Sequence, residues 1–243
     1  MPDEPEILLE ASEQFHVPEI KLVRAIHDSP TILERFSHGK EKYIAYIRAA
    51  LLKHLQKDNV IYHGFAGHFF LADISHVLKV RIIADLDRRI EIVMKRDNVT
   101  AEKAQHILKK DDEERRKWSL YLYGMDPWDV RLYDLVLHID KLSVNDAVEM
   151  ITNAVNQPAF IKTDASQRMI DNLTMAAQIE AELVNEFPSI NVTVVDKRVI
   201  VNVKGPIDET KEITGKIGDV VNNMIRGATL QVNVIPYVMD AKF

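Results

Sequence analysis

Val77-Leu-Lys-Val-Arg-Ile-Ile-Ala-Asp85 runs directly into Leu86-Asp-Arg-Arg-Ile-Glu-Ile-Val-Met-Lys-Arg96, and the change of period between them decides the fold class. The first run is apolar and β-branched, the pattern of a buried strand. In the second, Leu86, Ile90 and Val93 recur at helical spacing. Thr100 then opens another helix, through Ala104 and Leu108 into Lys109-Lys-Asp-Asp-Glu-Glu-Arg-Arg-Lys117. A strand that feeds two charged helices predicts an α/β fold with guanidinium and ammonium groups held on helical scaffolds.

Arg89 and Arg96 lie two helical turns apart and are expected to share a face. Arg115 and Arg116 follow Asp112 by three and four residues. Such a set suits a transferring phosphoryl group, whose charge is stabilised by converging forked cations. The competing reading is a solvated helix laced with Asp112–Arg115 and Asp112–Arg116 pairs.

Working upstream, Asn59 to His63 reads as a short strand ending in Gly64-Phe-Ala-Gly67, where two glycines allow a ligand to approach the backbone closely. Before it, helices are expected from about residue 5 to Gln56, one of them over Thr31 to Phe36. The longest, Lys40 to Gln56, places Tyr43, Ile47, Leu51 and Leu55 on one face and Lys42, Arg48 and Lys53 on the other. Those basic residues either touch a phosphate or are solvated. Downstream, Trp118 to Trp128 is aromatic and either stacks a base or packs locally. Leu132 to Ile139 reads as a strand, and Ser143 with Asp146 caps the helix that follows.

The stretches Asp85–Arg96, Lys109–Arg116, Leu132–Ser143 and Asn145–Val148, in that order, resemble the cytidylate kinase-like family of nucleoside-monophosphate kinases, over roughly Pro5 to Val155. The resemblance implies a P-loop kinase-like parallel sheet flanked by helices, with residues 1–157 as that domain. It implies that Arg115 and Arg116 stabilise the phosphoryl group, that Asp112 orients them, and that Gly64, Gly67, Arg89 and Arg96 contribute to nucleotide binding. ATP and Mg²⁺ are the implied cofactors, and CMP or dCMP the implied partner. The chain departs from the family in two places. Phe65 stands where the family usually carries an arginine. No glycine-rich loop ending in Lys-Ser or Lys-Thr occurs, so the sheet is expected to be incomplete and the chain alone to have little kinase activity. A non-catalytic nucleotide-sensing or assembly role is the alternative.

The pattern breaks at Pro158, and residues 163–243 are expected to form a second, small α+β domain. Ala165 to Phe187 reads as one helix with Met169, Leu173, Ala176, Ile179 and Leu183 apolar. Alternation of Ile190, Val192 and Val194, then Val199, Val201 and Val203, predicts a hairpin turning at Asp196-Lys197. A helix over about Asp208–Ile225 and a strand through Leu230, Val232 and Val234 complete it. This helix–strand–strand–helix–strand order resembles a BON domain, which implies a ligand-sensing or dimerisation module and hence a homo-oligomer as one outcome.

Composition sets the outer bounds. A net charge of −6 argues against broad nucleic-acid binding. The absence of cysteine leaves no disulfide and no thiolate metal site, and His63 and His68 lack a third spaced ligand, so no metal is assigned. No apolar run reaches the ~20 residues that cross a bilayer. The acidic start lacks a secretory signal, so a cytoplasmic location and no membrane partner are expected.

Overall fold

Helical periodicity governs the first part of the chain and strand alternation the last, and the computed structural model, which describes residues 4–27, 40–64 and 67–237, places them in a mixed α/β fold. Tertiary contacts divide the chain into two compact units. The first unit combines Met1–Ala25 and Phe36–Gly64 with Asp164–Phe243, and the second combines Ile26–Arg35 with Phe65–Thr163. The N-terminal helices thus group with the C-terminal elements from Asp164 onward. The helix expected over Thr31–Phe36 lies outside the described residues.

In the first unit, α1 (Glu4–Phe15), α2 (Glu19–His27) and α3 (Lys40–Leu55) bury Ile7, Leu8, Ala11, Leu22, Ile47, Leu51 and Leu52. Phe15 stacks flat on Tyr46 with ring centroids 4.2 Å apart. The C-terminal part of the unit comprises α8 (Asp164–Leu183), β3 (Asn191–Val195), β4 (Arg198–Lys204), α9 (Thr210–Met224) and β5 (Thr229–Ile235). The strands form one sheet in the order β3-β4-β5, with β3 antiparallel and β5 parallel to β4. Asp196, at φ +53°, makes the left-handed turn of the hairpin. Val192, Val194, Val199, Val201 and Val203 close on Ala176, Ile179 and Leu183 of α8 and on Ile213, Ile217 and Val221 of α9.

Helix α8 is buried on a second side as well. Ile170, Thr174, Ala177 and Ala181, a stripe at i, i+4, i+7 and i+11, are buried but belong to no part of the sheet core. That side meets α3. The Thr174 hydroxyl donates to the carbonyls of Ile170 and, at 3.3 Å, Leu52, and Gln56 donates to Asp171 at 3.0 Å. The alanines bring the two helices close. Here the sequence expectation needs correction: Met169, assigned to the apolar face, is exposed, and Ile170 is the buried neighbour.

In the second unit, β1 (Val80–Ile83) and β2 (Leu135–His138) pair in parallel, Val80 opposite Leu135 and Ile83 opposite His138. Around them lie α4 (Gly67–Phe70), α5 (Leu86–Asp97), α6 (Ala101–Tyr123) and α7 (Val144–Val155). Val93, Ala104 and Leu108 form the core of the α5–α6 pair. Asn98, left-handed at φ +52°, ends α5, and the Thr100 hydroxyl accepts from the Lys103 amide to begin α6. Gly124 at φ +64° closes α6. The strand expected over Asn59–His63 is not one: a single bridge at His63 is all that forms, after Asn59 takes a left-handed turn at φ +59°. The strand expected from Val77 shortens to begin at Val80, because the Lys79 amide turns to the Asp134 carboxylate at 2.8 Å.

Candidate functional site

The candidate site is at the carboxyl end of the parallel pair, where α/β folds present their ligand-binding groups. Strand β1 ends at Ile83, and Asp85 precedes the first residue of α5; His138 at the end of β2 sits with Nε2 3.1 Å from Asp85 Oδ1. One turn into α5, the Arg89 amide donates to the Asp85 carbonyl. Its guanidinium reaches across to α6 as a two-point fork, Nη1 and Nη2 donating to Asp112 Oδ2 and Oδ1 at 2.7 and 2.8 Å. Both side chains are about one third exposed. The hydrogen bonds and charge of Asp112 push the Arg89 guanidinium further up, so it stays a fixed cation. This fork cross-links the two helices that carry the remaining candidate cations.

Arg115 and Arg116 lie one turn beyond Asp112 on α6, and both are exposed. Arg116 donates through Nε and Nη2 to Asp126 Oδ2 at 2.9 and 2.6 Å and lies 4.6 Å over the Trp128 ring. That fork holds the Asp126 carboxyl below its usual range, helped by the Trp128 amide. The sequence expectation of Asp112 orienting Arg116 is thereby corrected: Asp112 takes Arg89, and Arg116 turns to the loop beyond Gly124. Arg96 also departs from expectation. It pairs with its neighbour Asp97, Nε to Oδ1 at 2.7 Å, with its side chain about two thirds exposed, and does not join Arg89. Gly64 is exposed in the first unit, and Gly67 is buried at the start of α4 in the second; residues 65 and 66 lie outside the described residues. In the aromatic stretch, Trp118 is buried edge-on to Tyr123, whereas Trp128 is exposed.

The structure adds a cluster that spacing did not reveal. The Tyr133 hydroxyl and Arg81 Nη1 both donate to the Pro127 carbonyl, at 2.9 and 2.6 Å. His68 stacks on Tyr133 with centroids 5.0 Å apart, and burial together with Arg81 and Lys79 pulls its imidazole down to about 4. Members of this set are separated by some 65 residues in sequence, so no local pattern announces it. Arg48, a candidate phosphate contact by sequence, is engaged elsewhere: it pairs with the buried Glu180 of α8.

Chemically, the planar guanidinium fork that suits carboxylate oxygens also suits phosphate oxygens; here Asp112 takes the fork of Arg89 and Asp126 takes that of Arg116. Among the described residues, no group of three or more carboxylate or imidazole side chains gathers to bind a metal, and no helix is long and apolar enough to cross a membrane.

The cytidylate kinase of Staphylothermus marinus is 29% identical over 106 residues, 44% of this chain and 58% of its own length. That of Methanopyrus kandleri is 29% identical over 109 residues, 42% and 56% of the two chains. The chain thus spans about half the length of the curated relatives it matches. A crystal structure of an uncharacterized protein from Eubacterium ventriosum aligns with a TM-score of 0.42 and 23% identity, over 62% of this chain and 89% of that one. The sequence pattern of the Cytidylate kinase-like family matches residues 2–141, more than half of the protein, and the chain belongs to that family.

Proposed function

We propose that this chain carries the acceptor and lid portion of a nucleoside-monophosphate kinase and binds a nucleotide such as CMP or dCMP through the guanidiniums of α5 and α6. The observation that supports this most directly is the Arg89–Asp112 fork, which orders two helices around cations at the carboxyl end of β1. Arg115 and Arg116 are read as the groups that meet the phosphoryl oxygens, with Asp126 and Trp128 as the holders of Arg116. Gly67 and Arg96 are weaker members of the set, since Arg96 pairs with Asp97, and Gly64, which falls in the other unit, is left out of it.

ATP and Mg²⁺ are the cofactors the family implies. The eight glycines include no run ending in Lys-Ser or Lys-Thr of the kind that wraps donor phosphates. The chain by itself therefore binds the acceptor nucleotide and turns over little ATP, and transfer requires a donor loop supplied to it. Nucleotide sensing without catalysis is the second reading, favoured by the same lack of a donor site. The C-terminal elements are read as a BON-like module because they follow the helix–strand–strand–helix–strand order. On this reading residues 1–157 and 163–243 are the two inherited domains, working in the cytoplasm.

Isothermal titration of the full chain with CMP, dCMP and ATP tests the proposal. CMP or dCMP is expected to bind, ATP not. Because hydrogen bonds to charged groups contribute roughly 1.5–3 kcal/mol, Arg115→Ala is expected to weaken that binding by about 10- to 100-fold. No heat with either monophosphate, or an unchanged affinity in the variant, would remove these arginines from a nucleotide site.

A further inference from the structure

The three-stranded sheet of the first unit has two edges, and they are finished differently. At the β3 edge the strand is short and its inward residues, Val192 and Val194, are fully buried. At the β5 edge the strand is Thr229-Leu-Gln-Val-Asn-Val-Ile235, with no charge and no proline. Sheet proteins ordinarily guard an edge with Lys, Pro, a bulge or brevity. This edge has none of them.

The core is also left open on that side. In β4 the inward residues Val199, Val201 and Val203 are at most 1% exposed. Their β5 counterparts Leu230, Val232 and Val234 are only partly buried, as are Met224, Ile225 and Ala228 near the same edge. Among the described residues, the inward row of β5 thus stays partly open to solvent.

Backbone groups point the same way. Thr229 donates its amide to Lys197, and Ile235 accepts from Gly205, so the odd-numbered residues of β5 turn their backbone toward β4. By strand alternation, Leu230, Val232 and Val234 turn theirs outward, where no described residue lies in register with them.

The geometry points to a second copy of this chain as the occupant of the β5 edge, paired antiparallel about a two-fold axis through Val232. In that register Val232 faces Val232 of the other copy, Leu230 faces Val234, and Gln231 faces Asn233. The central pairings are self-complementary: apolar on the core side, and amide against amide for Gln231 and Asn233 on the other, with Thr229 facing Ile235 at the ends. The outward face already carries an amide row in register, Asn191, Asn202 and Asn233, with Asn233 Nδ2 donating to Asn202 Oδ1 at 2.8 Å. Pairing would extend that face across the axis, add roughly six backbone hydrogen bonds, and merge two three-stranded sheets into one. The absence of charge on the strand removes the repulsion that would oppose two identical edges. This inference is independent of the nucleotide reading and survives its failure.

Light scattering on the full chain across a dilution series tests it. The wild-type protein is expected to be a dimer that dissociates on dilution. Two variants address the axis through side chains on the amide face: Gln231→Lys with Asn233→Lys, and Gln231→Glu with Asn233→Glu. Each alone places like charges opposite one another and is expected to be monomeric with an unchanged circular dichroism spectrum. Mixed in equal amounts, they are expected to regain the dimer mass. A monomeric wild type at all concentrations overturns the proposal. So does a lysine variant that remains dimeric, and so does a folded pair of variants that fails to associate when mixed.

Discussion

The fold holds His68 neutral well below the pH at which a free imidazole protonates. Packed against Phe69 and Tyr133 and facing Arg81 and Lys79, it stays neutral in the folded protein down to about pH 4, whereas an unfolded histidine protonates near 6.5. A group with a depressed folded pKa costs stability as the pH falls, because the unfolded chain then binds the proton more readily. Stability is therefore expected to decline between about pH 6.5 and 4, and His68→Phe, which keeps the stacking, is expected to flatten that decline. Urea midpoints measured across this window for the two proteins decide the point; parallel curves would show that His68 does not govern the acid limb. Nothing in the local sequence signals this environment, since Arg81, Pro127 and Tyr133 converge on it only through the strands and the loop after α6.

At the scale of elements, α7 shows where sequence is most legible. Ser143 Oγ accepts from the Asp146 amide, and the Asp146 carboxylate accepts from the Ser143 amide at 2.8 Å, the reciprocal cap expected from Ser-x-x-Asp. The Ser143 hydroxyl, donating to the same carboxylate at 2.7 Å, together with the Ser143 amide holds the Asp146 carboxyl below its usual range. Helix α7 buries only Ala147, so little packing compensates for a lost cap. Ser143→Ala is expected to cost about 1 kcal/mol in denaturant unfolding, with amide exchange accelerated in the first turn of α7; an unaltered first turn would show that tertiary packing starts the helix. The two-stranded sheet beside it was less legible. Its β-branched run is long enough for nine residues of strand, yet Ile82 and Ile83 remain exposed because β2 is the one strand among the described residues that pairs with β1.

For the whole molecule, the joint between α3 and α8 ties the N-terminal helices to the C-terminal sheet inside one unit. Glu180 is its centre, buried, paired with Arg48 and accepting the Val192 amide at 2.8 Å. Burial pushes the Glu180 carboxyl up, and Arg48 and the Val192 amide pull it back. Arg48→Ala leaves a buried carboxylate without its countercharge and is expected to cost about 3 kcal/mol at neutral pH. The loss should shrink as the pH falls toward the ordinary carboxyl range, because the stranded acid then takes up a proton and its charge disappears. Thermal unfolding of the variant at neutral and mildly acid pH checks this; a deficit that ignores pH would mean the cost comes from lost packing of the arginine stem.

Short-range periodicity was enough to determine α5, α6 and α8, the β3–β4 hairpin with its turn at Asp196-Lys197, and the cap of α7, because each depends on residues within a few positions of one another. It also brought Arg89, Asp112, Arg115 and Arg116 onto adjacent helices as the charged candidates. Which carboxylate each guanidinium takes was decided by tertiary structure, since Asp112 and Asp126 compete for partners across loops whose path no local pattern encodes. The same is true of α8, whose second buried stripe reads as ordinary small and polar residues until α3, more than a hundred positions away in sequence, is packed against it.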